Sequence, residues 1–164
     1  MNRLFKDLLS LLAKVAVIAG VFVMLSVFVF GIVHYVEPSM SPAIKDGDLV
    51  IFNRYVSGYQ ARDAIVLKID GQKQVRRVVA TAGDLVDITD DGLVINGALQ
   101  QETEIFHKTE RYLDGKEFPM TVPAGHVFVL GDNRKGAKDS RIYGCVEVKK
   151  TLGKVMTVVR RRGI

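Results

Sequence analysis

The sequence predicts a mostly β protein, an antiparallel β-sheet domain carried behind a single N-terminal membrane-spanning helix. Two observations carry that prediction. From Val15 to Val33 the chain runs nineteen residues without a charge. As a helix rising 1.5 Å per residue this is about 28 Å, close to the hydrocarbon thickness of a bilayer. Beyond it, segments rich in β-branched residues recur at short intervals between Gly, Asn and Asp breaks, the pattern of a sandwich or barrel. Composition agrees: 48% of the 164 residues are hydrophobic, and the mean hydropathy of +0.17 requires apolar residues to be concentrated somewhere.

The elements follow in order. Residues 1–14 precede the span and carry Arg3, Lys6 and Lys14 against Asp7, whereas the fifteen residues after Val33 hold only Lys45 as a positive charge. That asymmetry places residues 1–14 in the cytoplasm and residues 34–164 outside it. A cleaved signal peptide would have a shorter apolar core and small residues at its exit. Here residues 15–33 exit into His34, Tyr35, Val36, Glu37 and Pro38, so the span reads as an uncleaved anchor in the cell membrane. Strands are expected at Asp48–Tyr55, Asp63–Ile69, Gln74–Thr81, Leu85–Thr89, Leu93–Ile95, His126–Leu130 and Lys154–Val159. Asn96-Gly97 signals a two-residue hairpin turn. The charged stretch Gln100–Pro119 is the expected excursion from the sheets and a candidate for mobility.

Several classes of function are excluded at this level. With Cys145 as the one cysteine, neither an intramolecular disulfide nor a pair of zinc-binding thiolates is available, and Cys145 itself reads as a small buried residue. His34, His107 and His126 have no ligand spacing, so no metal or cofactor is implied. The net charge of +5 is dispersed except for Arg160, Arg161 and Arg162, and no nucleic-acid partner is suggested; the triplet reads as a solvated end or a contact to anionic lipid headgroups.

Three short segments carry chemistry. Just beyond the span stand Ser39-Met40-Ser41-Pro42 and then Lys45-Asp46-Gly47-Asp48. The strand from Val75 through Arg76 and Arg77 ends in Gly83-Asp84. The third segment is Gly131-Asp132-Asn133-Arg134-Lys135-Gly136-Ala137-Lys138-Asp139-Ser140-Arg141, followed by Gly144. In this order behind an anchor, they resemble the three boxes of the type I signal peptidases. The resemblance implies the signal peptidase I type of β domain and, as partners, exported preproteins or their signal peptides together with the lipid bilayer. It implies Ser39 as nucleophile, with Met40, Asp132, Asp139 and Arg141 supporting the site. The substrate would bind as an added strand, with Val36 and Val75 as candidates to line its apolar pockets. Of these, Asp132 and the pair Asp139 and Arg141 read as structural ion-pairing groups rather than reacting ones. Oligomeric state and client are not specified.

The sequence departs from the family pattern at the centre of that chemistry. In the family a neutral lysine takes the serine proton; counting back from Gly83-Asp84, that position is Arg76. A guanidinium titrating above about pH 12 cannot serve as a base at neutral pH. The serine that would orient the lysine is Ala137, and Glu37 stands where the family has a small neutral residue beside the oxyanion. Glu37 and Arg76, opposite in sign, are expected to neutralise each other across the site. Ser39 is then either a retained nucleophile or only a turn residue. Three functions stay open: a signal peptidase-like protein with impaired Ser-Lys catalysis that binds or assembles exported proteins; an active serine endopeptidase with a relocated base, Lys135 or Lys138; or a tethered β domain without a peptide groove.

Overall fold

A computed structural model describes residues 3–160. Arg161 and Arg162 of the arginine triplet lie outside that range. The chain opens with α1 (Arg3–Val29), whose stretch Phe5–Val29 has a mean hydropathy of 2.5 and none of its most apolar window buried, so it is long and apolar enough to cross a membrane. The helix thus starts before the apolar run and stops short of its end. Residues 30–33, which the sequence analysis placed in the span, instead open β1 (Phe30–His34). Val and Ile fit a pleated strand as well as a lipid-facing helix, and here a partner strand wins: Phe30 to His34 pair in antiparallel register with Asn53 to Leu49.

The strands that follow are β2 (Leu49–Asn53), β3 (Ala64–Ile69), β4 (Gln72–Thr81), β5 (Leu85–Thr89), β6 (Gly92–Ile95), β7 (Ala98–Leu99), β8 (Met120–Thr121), β9 (His126–Leu130), β10 (Val146–Glu147) and β11 (Thr151–Val159), with a short helix α2 (Ser140–Tyr143) between β9 and β10. They form two sheets, one of seven strands ordered β1-β2-β11-β3-β4-β9-β10 and one of four ordered β7-β6-β5-β8. Every pairing is antiparallel. The expected hairpin lies at Asn96-Gly97, both residues at positive φ, between β6 and β7.

Side-chain alternation distributes the core. On β3 and β9, Ile65, Leu67, Val127 and Val129 join Val78 and Val146 in one cluster. Residues of intervening positions serve two others: Val66 and Val75 pack with Tyr35, Met40, Ile44, Val50 and Phe52, while Phe128 and Leu130 pack with Ala80, Val86, Ile88, Leu93 and Val122. The central strands of the larger sheet are therefore covered on both faces, which gives them near-continuous apolar runs. Residues 100–119 hold no regular element, as expected, but they are pinned to the body. Buried Arg134 donates to both carboxylate oxygens of Glu102, at 2.8 and 2.5 Å, and to Thr109, and the Glu110 carbonyl accepts from Arg141 at 3.0 Å.

Candidate active site

Ser39 sits on a loop clasped at both ends. The N–H of Tyr35 donates to the Asp48 carbonyl and the N–H of Gly47 to the Tyr35 carbonyl, each at 2.8 Å, which prolongs the β1–β2 pairing into the Gly47-Asp48 turn. The Asp48 carboxylate accepts from the Lys45 N–H at 2.9 Å and locks that turn. Between these clamps, Met40 is fully buried against Tyr35 and Ile44, and its N–H donates to the Tyr35 hydroxyl at 2.9 Å. The Ser39 carbonyl accepts from the Asn133 N–H at 2.9 Å. A serine held this way by a buried neighbour and a bonded carbonyl has a fixed position.

What faces the serine is a charged pair. Ser39 Oγ donates to Glu37 Oε2 at 3.0 Å. Arg76 donates from Nη1 to Glu37 Oε1 at 2.6 Å and from Nη2 to Oε2 at 3.3 Å, a two-pronged contact. The remaining donors of Arg76 are also satisfied: Nε and Nη2 reach the Lys138 carbonyl at 2.9 and 2.8 Å, and Nη1 reaches its neighbour's carbonyl, Val75, at 2.6 Å. The Arg76 side chain is wholly buried, whereas that of Glu37 is 28% exposed and forms the open edge of the cluster. Burial pulls the Arg76 guanidinium down, but the Glu37 contact outweighs it and holds the group above its ordinary range.

Two tyrosines enclose the cluster, neither of them among the site residues expected from sequence. Burial first, and then the Glu37 carboxylate, push the Tyr35 hydroxyl far above its ordinary value. Tyr143, from α2, is likewise raised, chiefly by burial. Its buried hydroxyl has no hydrogen-bond partner among the described residues. Neutral aromatic residues leave no mark in a search for charge or ligand spacing. Tyr35 had only its place beside the first box to point to it.

The third segment supports the site. Asp139 is fully buried and accepts from the N–H of Gly131 and the N–H of Arg141, both at 3.1 Å, and from Arg141 Nε and Nη2 at 2.9 and 2.8 Å. It also caps α2. Asp132 receives Arg77 in a bidentate pair, at 2.8 and 2.6 Å, and the pairing with Asp132 raises the Arg77 guanidinium further. Ala137 is buried against Gly131. These groups act as struts; none contacts Ser39 Oγ among the described hydrogen bonds.

Three expectations need correction. Val75 is 1% exposed and belongs to the core beneath Met40, so it lines no open groove; one residue along a strand turns the side chain to the opposite face, and Arg76 takes the face toward Glu37. Val36, by contrast, is 70% exposed. Lys138 turns its ammonium away from Ser39 to Asp70, at 2.9 Å, and only its carbonyl faces the site. Lys135 is exposed, and neither lysine hydrogen-bonds Ser39. Finally, Cys145 is half-buried against the cluster around Phe128 rather than fully enclosed. A cleft of about 250 Å³ opens beside β4, lined by Arg62, Arg77, Val79, Leu93, Glu102 and Ile105 among others.

The chain thus sets an antiparallel β domain behind a long apolar helix and holds a clasped serine beside the Glu37–Arg76 ion pair. The comparisons give the class. The sequence pattern described as signal peptidase, peptidase S26, matches residues 8–160. The chain is 30% identical to signal peptidase IB of Staphylococcus aureus over 92% of this chain and 88% of that one. It is 33% identical to signal peptidase I of Bacillus caldolyticus over 80% of each. The crystal structure of a signal peptidase I from Enterococcus faecalis superposes with a TM-score of 0.51 at 30% identity, covering 63% of this chain and all of the other. The chain belongs to the signal peptidase family, peptidase S26.

Proposed function

We propose that this chain is a membrane-anchored, signal peptidase I-like protein that engages signal-peptide-bearing exported proteins at the outer surface of the cell membrane, with standard Ser-Lys hydrolysis impaired and the site used for binding or assembly. In this reading α1 crosses the bilayer through Phe5–Val29, with Arg3 on the cytoplasmic side and the long side chains of Lys6 and Lys14 reaching back toward it, and the β domain stands outside. Family membership supports the class of client, and the apolar helix supports the anchor. One observation carries the loss of Ser-Lys chemistry: the position of the general base holds a permanently charged guanidinium, fully buried and bonded through every nitrogen. Against a relocated lysine stands the contact of Ser39 Oγ, which goes to Glu37 and to neither Lys135 nor Lys138.

The test uses purified full-length protein in detergent with a synthetic signal peptide and its precursor. Measured binding of the peptide, with cleavage far slower than that of an active signal peptidase, supports the reading. Rapid cleavage abolished by Lys135→Ala or Lys138→Ala would favour the relocated base instead. Absence of peptide binding would sink the reading and leave a tethered β domain.

A further inference from the structure

The hydrogen bond from Ser39 Oγ is aimed at a carboxylate, and a carboxylate can take a proton. We propose that Glu37 is the proton acceptor of Ser39, so that the site retains an acyl-accepting serine that works without an amine. The proposal relies on the function proposed above for its substrate, an exported chain presented as an extended peptide, and adds the chemistry performed on it.

The geometry supplies the reach and the alignment that a general base needs. Glu37 Oε2 lies 3.0 Å from Ser39 Oγ, within the reach required for direct transfer. Its orientation is fixed by Arg76, which bonds both carboxylate oxygens and is itself fixed by the carbonyls of Lys138 and Val75. Ser39 is fixed independently, through Met40 and Asn133. Donor and acceptor therefore meet without rearrangement; Ser39 is itself 3% exposed, so a carbonyl must reach Oγ past Glu37, the exposed member of the cluster.

The step balances within the site. Oγ forms a bond to the acyl carbon while its proton passes to Glu37 Oε2, and the carbonyl π pair moves to oxygen. Collapse of the adduct breaks the bond to the leaving amine or alcohol, which takes the proton back from Glu37, leaving an ester on Ser39. Water then adds by the same route and releases the acid. In the adduct-forming step the negative charge moves from Glu37 to the oxyanion, so the charge balancing Arg76 is conserved in sum. Arg76 is a positioning residue here; it touches no reacting atom.

Para-nitrophenyl acetate tests the chemistry without needing a peptide to dock. Full-length protein should release nitrophenol in a burst and gain one acetyl group by intact mass, located on Ser39 and absent in Ser39→Ala. Glu37→Gln should slow acetylation by about 10²-fold or more. Because Glu37→Gln strips the partner from a buried Arg76, Glu37→Asp is the second variant: it keeps the charge but withdraws the oxygen, and should also slow acetylation while thermal melting shows it folded. Acetylation at the parental rate in both variants overturns the proposal, as does a parent protein that is never acetylated. A rate still climbing between about pH 8 and 10 identifies an amine as acceptor and overturns it as well. Peptide binding is measured separately. Acetylation dependent on Glu37 without peptide binding upholds this chemistry and removes the proposed client; binding without acetylation does the reverse.

Discussion

Gly131 and Ala137 meet without room for another carbon: a Cβ on Gly131 would lie 2.2 Å from the Ala137 Cβ and 2.7 Å from the Ser39 carbonyl oxygen. The third segment is thus folded against itself and against the serine loop at one point. The glycine is needed there for close approach, since any side chain would push against backbone that cannot yield.

Gly131→Ala is therefore expected to destabilise the domain by about 3 kcal/mol, the upper end of the usual cost of overpacking. The displaced group is the carbonyl of Ser39, so the damage should also reach the site. Denaturant unfolding measures the first effect, and a lost Ser39 acetylation burst the second.

Asp139→Asn should cost about 3–5 kcal/mol, because an amide cannot accept from all the N–H groups that Asp139 serves, and it leaves Arg141 charged, 1% exposed and unneutralised. The double variant Asp139→Asn/Arg141→Met should recover part of that loss, since removing both charges is milder than stranding one. Urea titration of the parent, both single variants and the double closes the cycle. Additive losses would contradict the pairing.

The strands of the domain are legible because short runs rich in Val, Ile and Phe stand between turn residues; β5 and β9 match their expected limits. What escaped was local. β1 hides in the apolar run, since Phe30 to Val33 show no change of composition from the helix before them. β8 and β10 have two residues each, too few for any period to register. At the site, opposite charges at Glu37 and Arg76 announced their contact. Val75 was misplaced because a run of apolar residues does not say which face of a doubly covered strand is open. The sequence pairs Glu37 with Arg76 and sets it against an oxyanion, but that its oxygen accepts from Ser39 depends on the loop geometry between Tyr35 and Asp48, which no spacing rule encodes.

Restoring an amine should require several changes at once. Arg76→Lys alone places an ammonium beside Glu37, which favours its charged form and keeps it from acting as a base. Ala137→Ser alone orients nothing. The triple variant Glu37→Gly/Arg76→Lys/Ala137→Ser removes the neutralising charge, supplies the amine and aligns it, and its gain in signal-peptide cleavage should exceed the product of the single effects. A positioned base is worth about 10²–10⁴ in rate, which a cleavage assay resolves easily. A folded but inactive triple variant would mean that Ser39 cannot act with an amine base.

Acid should weaken the turn at Asp84, between β4 of the larger sheet and β5 of the smaller. Asp84 is held below its ordinary value by the Thr81 N–H, helped by the Asn96 side-chain amide. A carboxylate depressed in the folded state contributes stability that is complete above its unfolded value, about 3.9, and is lost as pH falls through the lower folded value. The denaturation midpoint should therefore drop below about pH 4, and Asp84→Asn should flatten that part of the profile. An unchanged slope in the variant would assign the acid sensitivity elsewhere.

No residue separates α1 from β1: Val29 ends the helix, Phe30 begins the strand, and the Arg54 N–H bonds the Val29 carbonyl at 2.9 Å. A domain on a loose stalk would sweep Ser39 through a hemisphere and meet its clients by search. In the proposed topology, a helix and sheet joined without a linker restrict that freedom, and the height of the serine above the bilayer follows from the hydrogen-bond register of β1 on β2. What is lost in reach returns as local concentration for any chain that emerges at that height. A chain cut or bound a few residues further out would need a different register, not a longer arm.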